Sequence, residues 1–211
     1  MKPVVGLTGI LGSGKSSVAE RLRRLGACIV DMDDAGRWAV EAERVRRRLR
    51  KAFGAQIFDA ENQLLRKKLG DIVFSDSAAL AVLNSIVHPV MLRRARSLIK
   101  KEKTRRACLY IVVDAALLFE LDFEKECDLT VTVAAPIERC LERAEQSKKM
   151  TRQQALDRIH AQMAQDEKTK RSDYVILNDK GLYELEHAVA KLHEWIMRKM
   201  NGCAGLQTSR Q

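Results

Sequence analysis

The sequence predicts an α/β fold in which a five-stranded parallel sheet is flanked by helices. Short apolar, β-branched runs alternate with longer segments whose apolar residues recur at helical spacing. The chain opens with a predicted strand, a glycine-rich loop, a helix and a second strand, which is the βαβ unit of a parallel sheet. A hydrophobic fraction of 46% over 211 residues is enough for one domain with a sizeable core.

The first βαβ unit occupies the N-terminal residues. Val4–Thr8 is short and β-branched and is followed by glycines, so it is predicted to be a buried strand. Residues 16–25 form the predicted helix, which Gly26 ends. Residues 28–30 are the second predicted strand, and Asp31 follows them.

The rest of the chain continues the alternation of helices and strands. Residues 34–103 are predicted to be mostly helical, with Pro89 in the first turn of one helix. Further strands are predicted at residues 109–113, 129–134 and 174–177. Helices are predicted at residues 136–146, 151–170 and 181–200, and residues 202–211 are predicted to be a frayed, flexible tail.

The net charge of +10 indicates polyanionic partners. Nucleic acids, nucleotides and phosphorylated cofactors all meet that requirement, and a solvated basic surface is the alternative. No glycine-arginine tract or aromatic-studded basic strand favours nucleic acid. Five arginines crowd one predicted helix, and most of them are expected on its solvated face: Arg44, Arg46, Arg47, Arg48 and Arg50.

The five cysteines are scattered without a Cys-x-x-Cys pair, so their spacing indicates neither zinc nor thioredoxin chemistry. An odd number of cysteines without tight spacing is typical of a reduced cytoplasm. The apolar N-terminal stretch is too short for a signal peptide, and no run of about 18 apolar residues is present. We therefore expect a cytoplasmic protein without a membrane partner.

Residues 9–16, Gly-Ile-Leu-Gly-Ser-Gly-Lys-Ser, match the phosphate-binding loop pattern G-x-x-x-x-G-K-[S/T]. The glycines let backbone N–H groups approach a phosphate, and the following helix contributes the positive end of its dipole. Lys15 can reach the β- and γ-phosphates, and the Ser16 hydroxyl can ligate Mg²⁺. The alternative is a glycine-rich turn that binds nothing, and the flanking strand and helix argue against it.

Acidic residues follow two of the predicted strands. Asp114 ends an apolar strand, where a Walker-B acid would hold the metal, although strands often end in aspartate. Asp31 and Asp33 follow the second strand, and ligands of open α/β sheets bind beyond the carboxyl ends of strands. One of the two could orient or deprotonate an acceptor hydroxyl, and the other could cap the next helix. We favour Asp33 as the acceptor-facing group.

Arg139 and Arg143 lie four residues apart on one face of the helix after the fourth strand. Arginines there could reach transferring phosphates and stabilise transition-state charge. The alternative is a pair of surface arginines near Glu138 and Glu142.

A phosphate-binding loop alone leaves several functions open. The Asn-Lys-x-Asp motif of GTPase switches is missing, and motors or helicases are normally longer. A short α/β chain with this loop at its N-terminus is typical of small-molecule kinases, in which the helical stretch would bind the acceptor.

Several further blocks resemble dephospho-CoA kinases, and together they extend over about residues 3–195. The loop is common to many families, whereas the Leu-Asn…His-Pro and Leu-Leu-Phe-Glu blocks are much narrower. The residues that carry the resemblance are Gly6–Gly9 and Gly12–Ser16, Asp31, Asp33 and Arg37, Phe53-Gly54, Leu65-Arg66 and Leu69, Leu83-Asn84 and His88-Pro89, Asp114 and Leu117–Glu120, and Arg158, Gln162, Lys168, Asp173 and Asn178.

This resemblance implies transfer of the ATP γ-phosphate, with Mg²⁺, to the ribose 3′-hydroxyl of dephospho-CoA, the last step of coenzyme A biosynthesis. It implies a single domain over residues 1–201, with a P-loop kinase core (about 1–33 and 105–201), a helical acceptor lobe (about 34–104) and a mobile lid (about 144–165). We expect a small-molecule substrate, no nucleic-acid partner, and a monomer or weak homo-oligomer.

The resemblance also assigns roles to residues. Lys15, Asp33 and Arg143 would be catalytic, with Asp33 acting on the 3′-hydroxyl and Arg143 facing the ATP phosphates. Ser16 and Asp114 would hold the metal. Asp33, Arg66, His88 and Leu118 would bind the acceptor, although a histidine before proline could also simply cap a helix. The implied ATP-binding residues are Gly9, Gly12, Ser13, Gly14, Lys15, Ser16, Ser17 and Asn178, the last of these near the adenine.

Three positions depart from the family pattern. Residues 10–11 are Ile-Leu where Gly-Ile is usual, which restricts the backbone of the loop. Ala116 replaces a usual proline, and Ser147 stands where a lid arginine is common. The lysines at 148–149 could supply the charge of that arginine but not its bidentate geometry.

Two other functions stay open. One is a different P-loop kinase, acting on a nucleoside monophosphate or another hydroxyl acceptor. The other is an ATP-dependent nucleic-acid-binding or regulatory module, which the net charge of +10 motivates.

Overall fold

The computed structural model describes residues 2–148 and 150–205. Contacts divide the chain into two compact units, one of Met1–Val30 with Lys101–Gln211 and the other of Asp31–Lys100. We call them the sheet unit and the helical unit. Within the described ranges, no helix is both long enough and apolar enough to cross a membrane.

A five-stranded sheet forms the centre of the sheet unit, as predicted. Its order is β2-β3-β1-β4-β5, and the registered pairs β1–β3, β1–β4 and β4–β5 are all parallel. The central strand, β1, is entirely buried, which explains why its sequence is mostly apolar. The strands are β1 (Val4–Thr8), β2 (Ala27–Asp31), β3 (Tyr110–Asp114), β4 (Leu129–Ala134) and β5 (Tyr174–Leu177).

Nine α-helices occur within the described residues, and short 3₁₀ turns lie at Ala55–Ile57 and Phe123–Glu126. Helices α2 to α4 belong to the helical unit, which also contains most of α5. The helices are α1 (Lys15–Arg24), α2 (Met32–Glu41), α3 (Glu43–Phe53), α4 (Arg66–Ser75), α5 (Ser77–Thr104), α6 (Ile137–Lys148), α7 (Arg152–His160), α8 (Gln165–Arg171) and α9 (Leu182–Gly205).

Two buried clusters hold the helices of the sheet unit in place. Apolar residues of α1 and α9, among them Leu22 and Leu192, pack with the strands. A second cluster joins Ile10 of the glycine-rich loop to α6 and α7 through residues such as Leu141 and Ile159. The loop is therefore fixed by core packing as well as by its flanking strand and helix.

The single helix predicted over residues 151–170 is wrong, because α7 and α8 are separated by residues 161–164. Two tertiary hydrogen bonds explain the break. The Met163 N–H donates to Glu120 Oε1 at 2.7 Å, and Gln162 Oε1 accepts from the Leu11 N–H at 3.1 Å. The backbone donor of Met163 is thereby satisfied outside a helix.

The prediction that Pro89 lies in the first turn of a helix is also wrong, because Pro89 lies inside the 28-residue α5. Proline lacks an N–H and costs about 3 kcal/mol in a helix interior. Buried apolar residues on both sides of Pro89, including Ile86, Val87 and Met91, offset that cost and keep the helix continuous.

Helix α3 carries the five crowded arginines of the helical unit. Arg44, Arg47, Arg48 and Arg50 are exposed, as expected for a solvated face. Arg46 differs, since its side chain is only 15% exposed. The guanidinium groups of both Arg46 and Arg50 lie over the Phe58 ring, at 5.7 Å and 4.5 Å from its centre.

Helix α9 continues to Gly205, five residues beyond its predicted end at residue 200. The predicted flexible tail began at residue 202. Residues 206–211 lie outside the described residues, so flexibility of that final segment stays a prediction.

Candidate active site

The phosphate-binding motif lies between the end of β1 and the start of α1, as the sequence predicts. Its backbone needs glycine at two points, because Gly12 and Gly14 have φ values of +77° and +94°. A Cβ at Gly12 would collide with the backbone carbonyl of Cys140, and one at Gly14 would collide with the amide of Asn178. The close approach of α6 and of the segment after β5 therefore excludes side chains here.

Arg143 and Asn178, both predicted ATP-binding or catalytic residues, contact this loop directly. Asn178 Nδ2 donates to the Ser13 carbonyl at 2.8 Å. Arg143 Nη1 lies 3.4 Å from the carbonyls of both Gly12 and Ser13, and Arg143 Nη2 donates to the Asn178 carbonyl at 3.1 Å. These contacts stabilise the conformation in which the loop carbonyls face Arg143 and Asn178.

Lys15 and Asp114 are brought together as an ion pair between Lys15 Nζ and Asp114 Oδ1. The register of the sheet explains the pairing, because Asp114 at the end of β3 lies beside Leu7, near the end of β1. The two side chains are 13% and 8% exposed, so the pair lies in a low-dielectric environment. The predicted Walker-B position is therefore adjacent to the loop lysine.

Two more predicted ATP-binding residues, Ser16 and Ser17, lie in the first turn of α1. Ser16 is exposed, and its hydroxyl is open to a ligand. Ser13 is fully buried, and its hydroxyl has no hydrogen-bond partner within the described part of the chain. An unsatisfied buried hydroxyl in such a loop is a donor that an incoming anion could use.

A buried lysine, Lys168, binds residues that follow β3 next to the site, and the sequence did not predict this role. Lys168 of α8 is fully buried, and its Nζ donates to Glu120 Oε1 at 2.7 Å and to the Ala116 carbonyl at 2.8 Å. The same carbonyl accepts from Thr8 Oγ1 at 3.2 Å. Burial lowers the pKa of Lys168, while the hydrogen bond to Glu120 opposes that shift.

The contacts of Ala116 and Ile10 account for two of the departures from the family pattern. Ala116 lacks the rigidity of a proline, but its carbonyl is held by two donors, Lys168 and Thr8. Ile10 is 3% exposed and fills the cluster with α6 and α7, so its bulk serves packing. Its φ is negative, so the side chain causes no backbone strain.

At the third departure, the Ser147 hydroxyl donates to the Arg143 carbonyl at 2.6 Å within α6. Ser147 is exposed. The side chain of Lys148 and all of Lys149 lie outside the described residues, so their proposed contribution of charge stays a prediction.

The aspartates after β2, which lie in the helical unit, differ in their contacts. Asp31 caps α2, since its Oδ1 accepts from the N–H groups of Asp33 at 2.7 Å and Asp34 at 3.1 Å. Asp34 pairs with Arg37, and that hydrogen bond raises the pKa of Arg37. Within the described residues, no ion pair or side-chain hydrogen bond engages the exposed carboxylate of Asp33. It therefore stays available to an acceptor.

The other predicted acceptor residues lie on separate elements. Arg66, at the start of α4, donates to Glu41 Oε1 at 2.9 Å. His88 lies within α5, so it is not a helix cap, and burial lowers its pKa below the ordinary value of 6.5. Leu118, in the sheet unit, is fully buried, and a Cβ on Gly6 would lie 2.7 Å from its Cδ2.

Comparisons with known proteins agree with this geometry. The model of the family "CoaE: Dephospho-CoA kinase" matches residues 3–184. A dephospho-CoA kinase of Bacillus licheniformis is 36% identical over 195 residues, which cover 92% of this chain and 95% of the relative. One from Thermobifida fusca is 36% identical over 203 residues, covering 93% and 98%.

Solved structures show the same fold. TT1252 from Thermus thermophilus superposes with a TM-score of 0.77 at 32% identity, covering 90% of this chain and 95% of that one. The dephospho-CoA kinase from Campylobacter jejuni gives a TM-score of 0.70 at 22% identity, covering 94% and 99%. From the family match, the relatives and the shared fold, this chain belongs to the dephospho-CoA kinase family.

Proposed function

We propose that this protein transfers the γ-phosphate of ATP to the ribose 3′-hydroxyl of dephospho-CoA, giving coenzyme A and ADP. The observation that carries the proposal is the phosphate-binding loop held by Arg143 and Asn178 next to the Lys15–Asp114 pair. It occurs in a chain that the dephospho-CoA kinase model matches over residues 3–184.

On the nucleotide side, Lys15 would leave Asp114 and bind the β- and γ-phosphates, whose larger negative charge attracts its ammonium group more strongly. The loop N–H groups and the start of α1 would bind the remaining phosphate charge. Arg143 lies within hydrogen-bond range of the Gly12 and Ser13 carbonyls, so a modest side-chain rotation would bring its guanidinium to a phosphate. Asn178 would lie near the adenine of the nucleotide.

The implied Mg²⁺ fits the oxygen donors present at this end of the sheet. Ser16 offers an exposed hydroxyl, and Asp114 offers a carboxylate that Lys15 would release. When bound, the ion would neutralise phosphate charge as the γ-phosphoryl group is transferred. The hydroxyl of Ser16 and the carboxylate of Asp114 would hold it there.

On the acceptor side, Asp33 would orient the 3′-hydroxyl and accept its proton. Three facts support it over its neighbours: Asp31 is used as a helix cap, Asp34 is paired with Arg37, and Asp33 is exposed. Arg66, currently bound to Glu41, would bind an anionic part of the acceptor. His88 would add a further contact with the acceptor, whereas the fully buried Leu118 would shape the site only through packing.

We further infer that residues 144–165 act as a lid over the nucleotide. Ile159 of α7 belongs to the same buried cluster as Ile10 of the phosphate-binding loop, so this segment lies beside the proposed nucleotide site. We expect the protein to act in the cytoplasm as a monomer or weak homo-oligomer.

A coupled ADP-release assay with Mg·ATP tests the function directly. Dephospho-CoA, adenosine, AMP and a reaction without acceptor should be compared, and the product should be analysed for its site of phosphorylation. Turnover only with dephospho-CoA, with a 3′-phosphorylated product, is expected. A preference for AMP would indicate a nucleoside monophosphate kinase, and acceptor-independent hydrolysis would contradict the kinase assignment.

A further inference from the structure

Two cysteines and a glutamate from three separate parts of the sheet unit converge at one point. Cys28 lies on β2, Glu102 lies near the end of α5, and Cys108 lies two residues before β3. One ligand atom from each residue lies within 4.8 Å of the other two. Within the described residues, no other group of three His, Cys, Asp or Glu side chains has its ligand atoms this close together.

The backbone around this cluster is fixed by several hydrogen bonds. The Leu109 N–H donates to the Gly26 carbonyl at 3.0 Å and so ties the chain beside Cys108 to the start of β2. The Cys108 N–H donates to the Arg105 carbonyl at 3.1 Å, which closes the turn after α5. Because three elements are held in register, the three ligands are brought together before any metal binds.

The surroundings suit a negatively charged metal complex. A cavity of about 290 Å³ opens beside the cluster, and Arg23 and Arg105 line it together with Cys28 and Glu102. Arg105 Nη1 lies 3.4 Å from Glu102 Oε2. Two thiolates and a carboxylate around a divalent cation leave one negative charge, which these arginines would offset. The cavity also provides room for a water molecule as a fourth ligand.

We propose that Cys28, Glu102 and Cys108 form a binding site for a divalent cation that prefers sulfur ligands, with Zn²⁺ as the expected ion. Two thiolates select zinc or a similar metal over Mg²⁺, which prefers oxygen ligands. Binding replaces the two thiol protons with the cation, so two protons are released for each ion bound.

This site is separate from the nucleotide site. Cys28 and Cys108 lie at the starting ends of β2 and β3, whereas the phosphate-binding loop and Asp114 lie at the carboxyl ends of β1 and β3. The spacing of cysteines along the sequence could not indicate it, because 79 residues separate Cys28 from Cys108. A bound ion would join β2, α5 and β3, and it would stabilise the folded state.

The experiment is a titration of the reduced, full-length, nucleotide-free protein with Co²⁺, followed by displacement with Zn²⁺. Near-ultraviolet absorption from thiolate-to-cobalt charge transfer reports sulfur ligation. We expect one ion per chain, with this absorption lost in Cys28→Ser and the affinity reduced at least about tenfold in Glu102→Gln. Cys127→Ser, at another partly buried cysteine, is the matched control and should bind like the parent protein.

Cys28 is only partly buried, so its serine variant should fold even if Cys108→Ser does not. Circular dichroism and the ADP-release assay confirm that the variants compared are folded and active. Zn²⁺ should raise the thermal unfolding temperature of the parent and of Cys127→Ser but not of Cys28→Ser. The absence of sulfur ligation in the parent at saturating Co²⁺, or unchanged binding in Cys28→Ser, would overturn the proposal.

Discussion

The nucleotide end of the sheet unit and the helical unit present their candidate residues in different ways. Around the phosphate-binding loop, the backbone carbonyls already have side-chain partners, and Lys15 and Asp114 are already paired. In the helical unit, Asp33 is exposed, Arg66 is bound to a surface glutamate, and His88 lies in another helix. The proposed phosphate site is therefore held together by contacts within the sheet unit, whereas the proposed acceptor residues lie on separate elements, where a substrate would engage them.

The largest expected effect tests the preorganised region. Lys15→Ala should reduce kcat by about 10³-fold or more, since no other described side chain in this loop supplies a cation to the β- and γ-phosphates. The ADP-release assay with dephospho-CoA measures it. Lys170→Ala is the matched control at an exposed, ion-paired lysine. A loss smaller than about tenfold would show that the loop lysine is not central to transfer.

The next prediction tests the helical unit. Asp33→Asn should lower kcat by about 10²-fold or more while leaving the KM for ATP unchanged, because the carboxylate is proposed to act only on the acceptor hydroxyl. Asp34→Asn, at the adjacent exposed aspartate, should have little effect on kcat. If Asp33→Asn retained full kcat with dephospho-CoA, its role as acceptor base would be wrong.

A pair of glycine substitutions compares the rigidity of the two regions. Gly12→Ala should destabilise the protein by about 3 kcal/mol or more, because φ is positive and the new Cβ would strike the α6 backbone. Gly36→Ala in α2 should be neutral or stabilising by up to about 1 kcal/mol, since its Cβ would lie 3.4 Å from Met91 Sδ. Urea unfolding measures both, and equal losses would contradict the comparison.

The smallest expected effect is pH-dependent and involves His88. Burial lowers its pKa below 6.5, so near and just below pH 6.5 the unfolded chain binds more protons than the folded one. This residue therefore makes stability fall as the pH falls through that range, by at most about 1.4 kcal/mol per pH unit.

His88→Gln should remove this contribution, so the parent should lose more stability than the variant between about pH 7.5 and pH 5.5. Urea unfolding at both pH values measures the difference. His160→Gln, at an exposed histidine in α7, is the matched control. Identical losses in the parent and in His88→Gln would contradict the prediction.

Much of the fold could be predicted because its signals are local. Strand β1 matches its predicted limits, since a short, mostly apolar run followed by a glycine has few alternatives. The two errors, at Pro89 and at the break between α7 and α8, share a cause. In each case contacts with distant residues, such as the bond from Met163 to Glu120, outweigh the local preference.

The candidate site also contains residues that the sequence predicts and residues that it does not. The loop residues were predictable because the motif is contiguous and its physical requirements are strict. The sequence did not indicate that Lys168 and Glu120 form a pair, because they are 48 residues apart. Nothing in the sequence distinguishes a buried lysine from an exposed one. The cap at Asp31, which distinguishes it from Asp33, also required coordinates.

The sequence by itself determined the α/β class, the phosphate-binding loop and the family, because each depends on residue types at short, fixed spacings. Only the tertiary structure decided which side chains hold the loop carbonyls, which aspartate caps α2, and where Cys28, Glu102 and Cys108 meet. The physical reason is that these contacts join residues far apart in the chain. Their partners are set by strand order and helix packing, which local patterns do not encode.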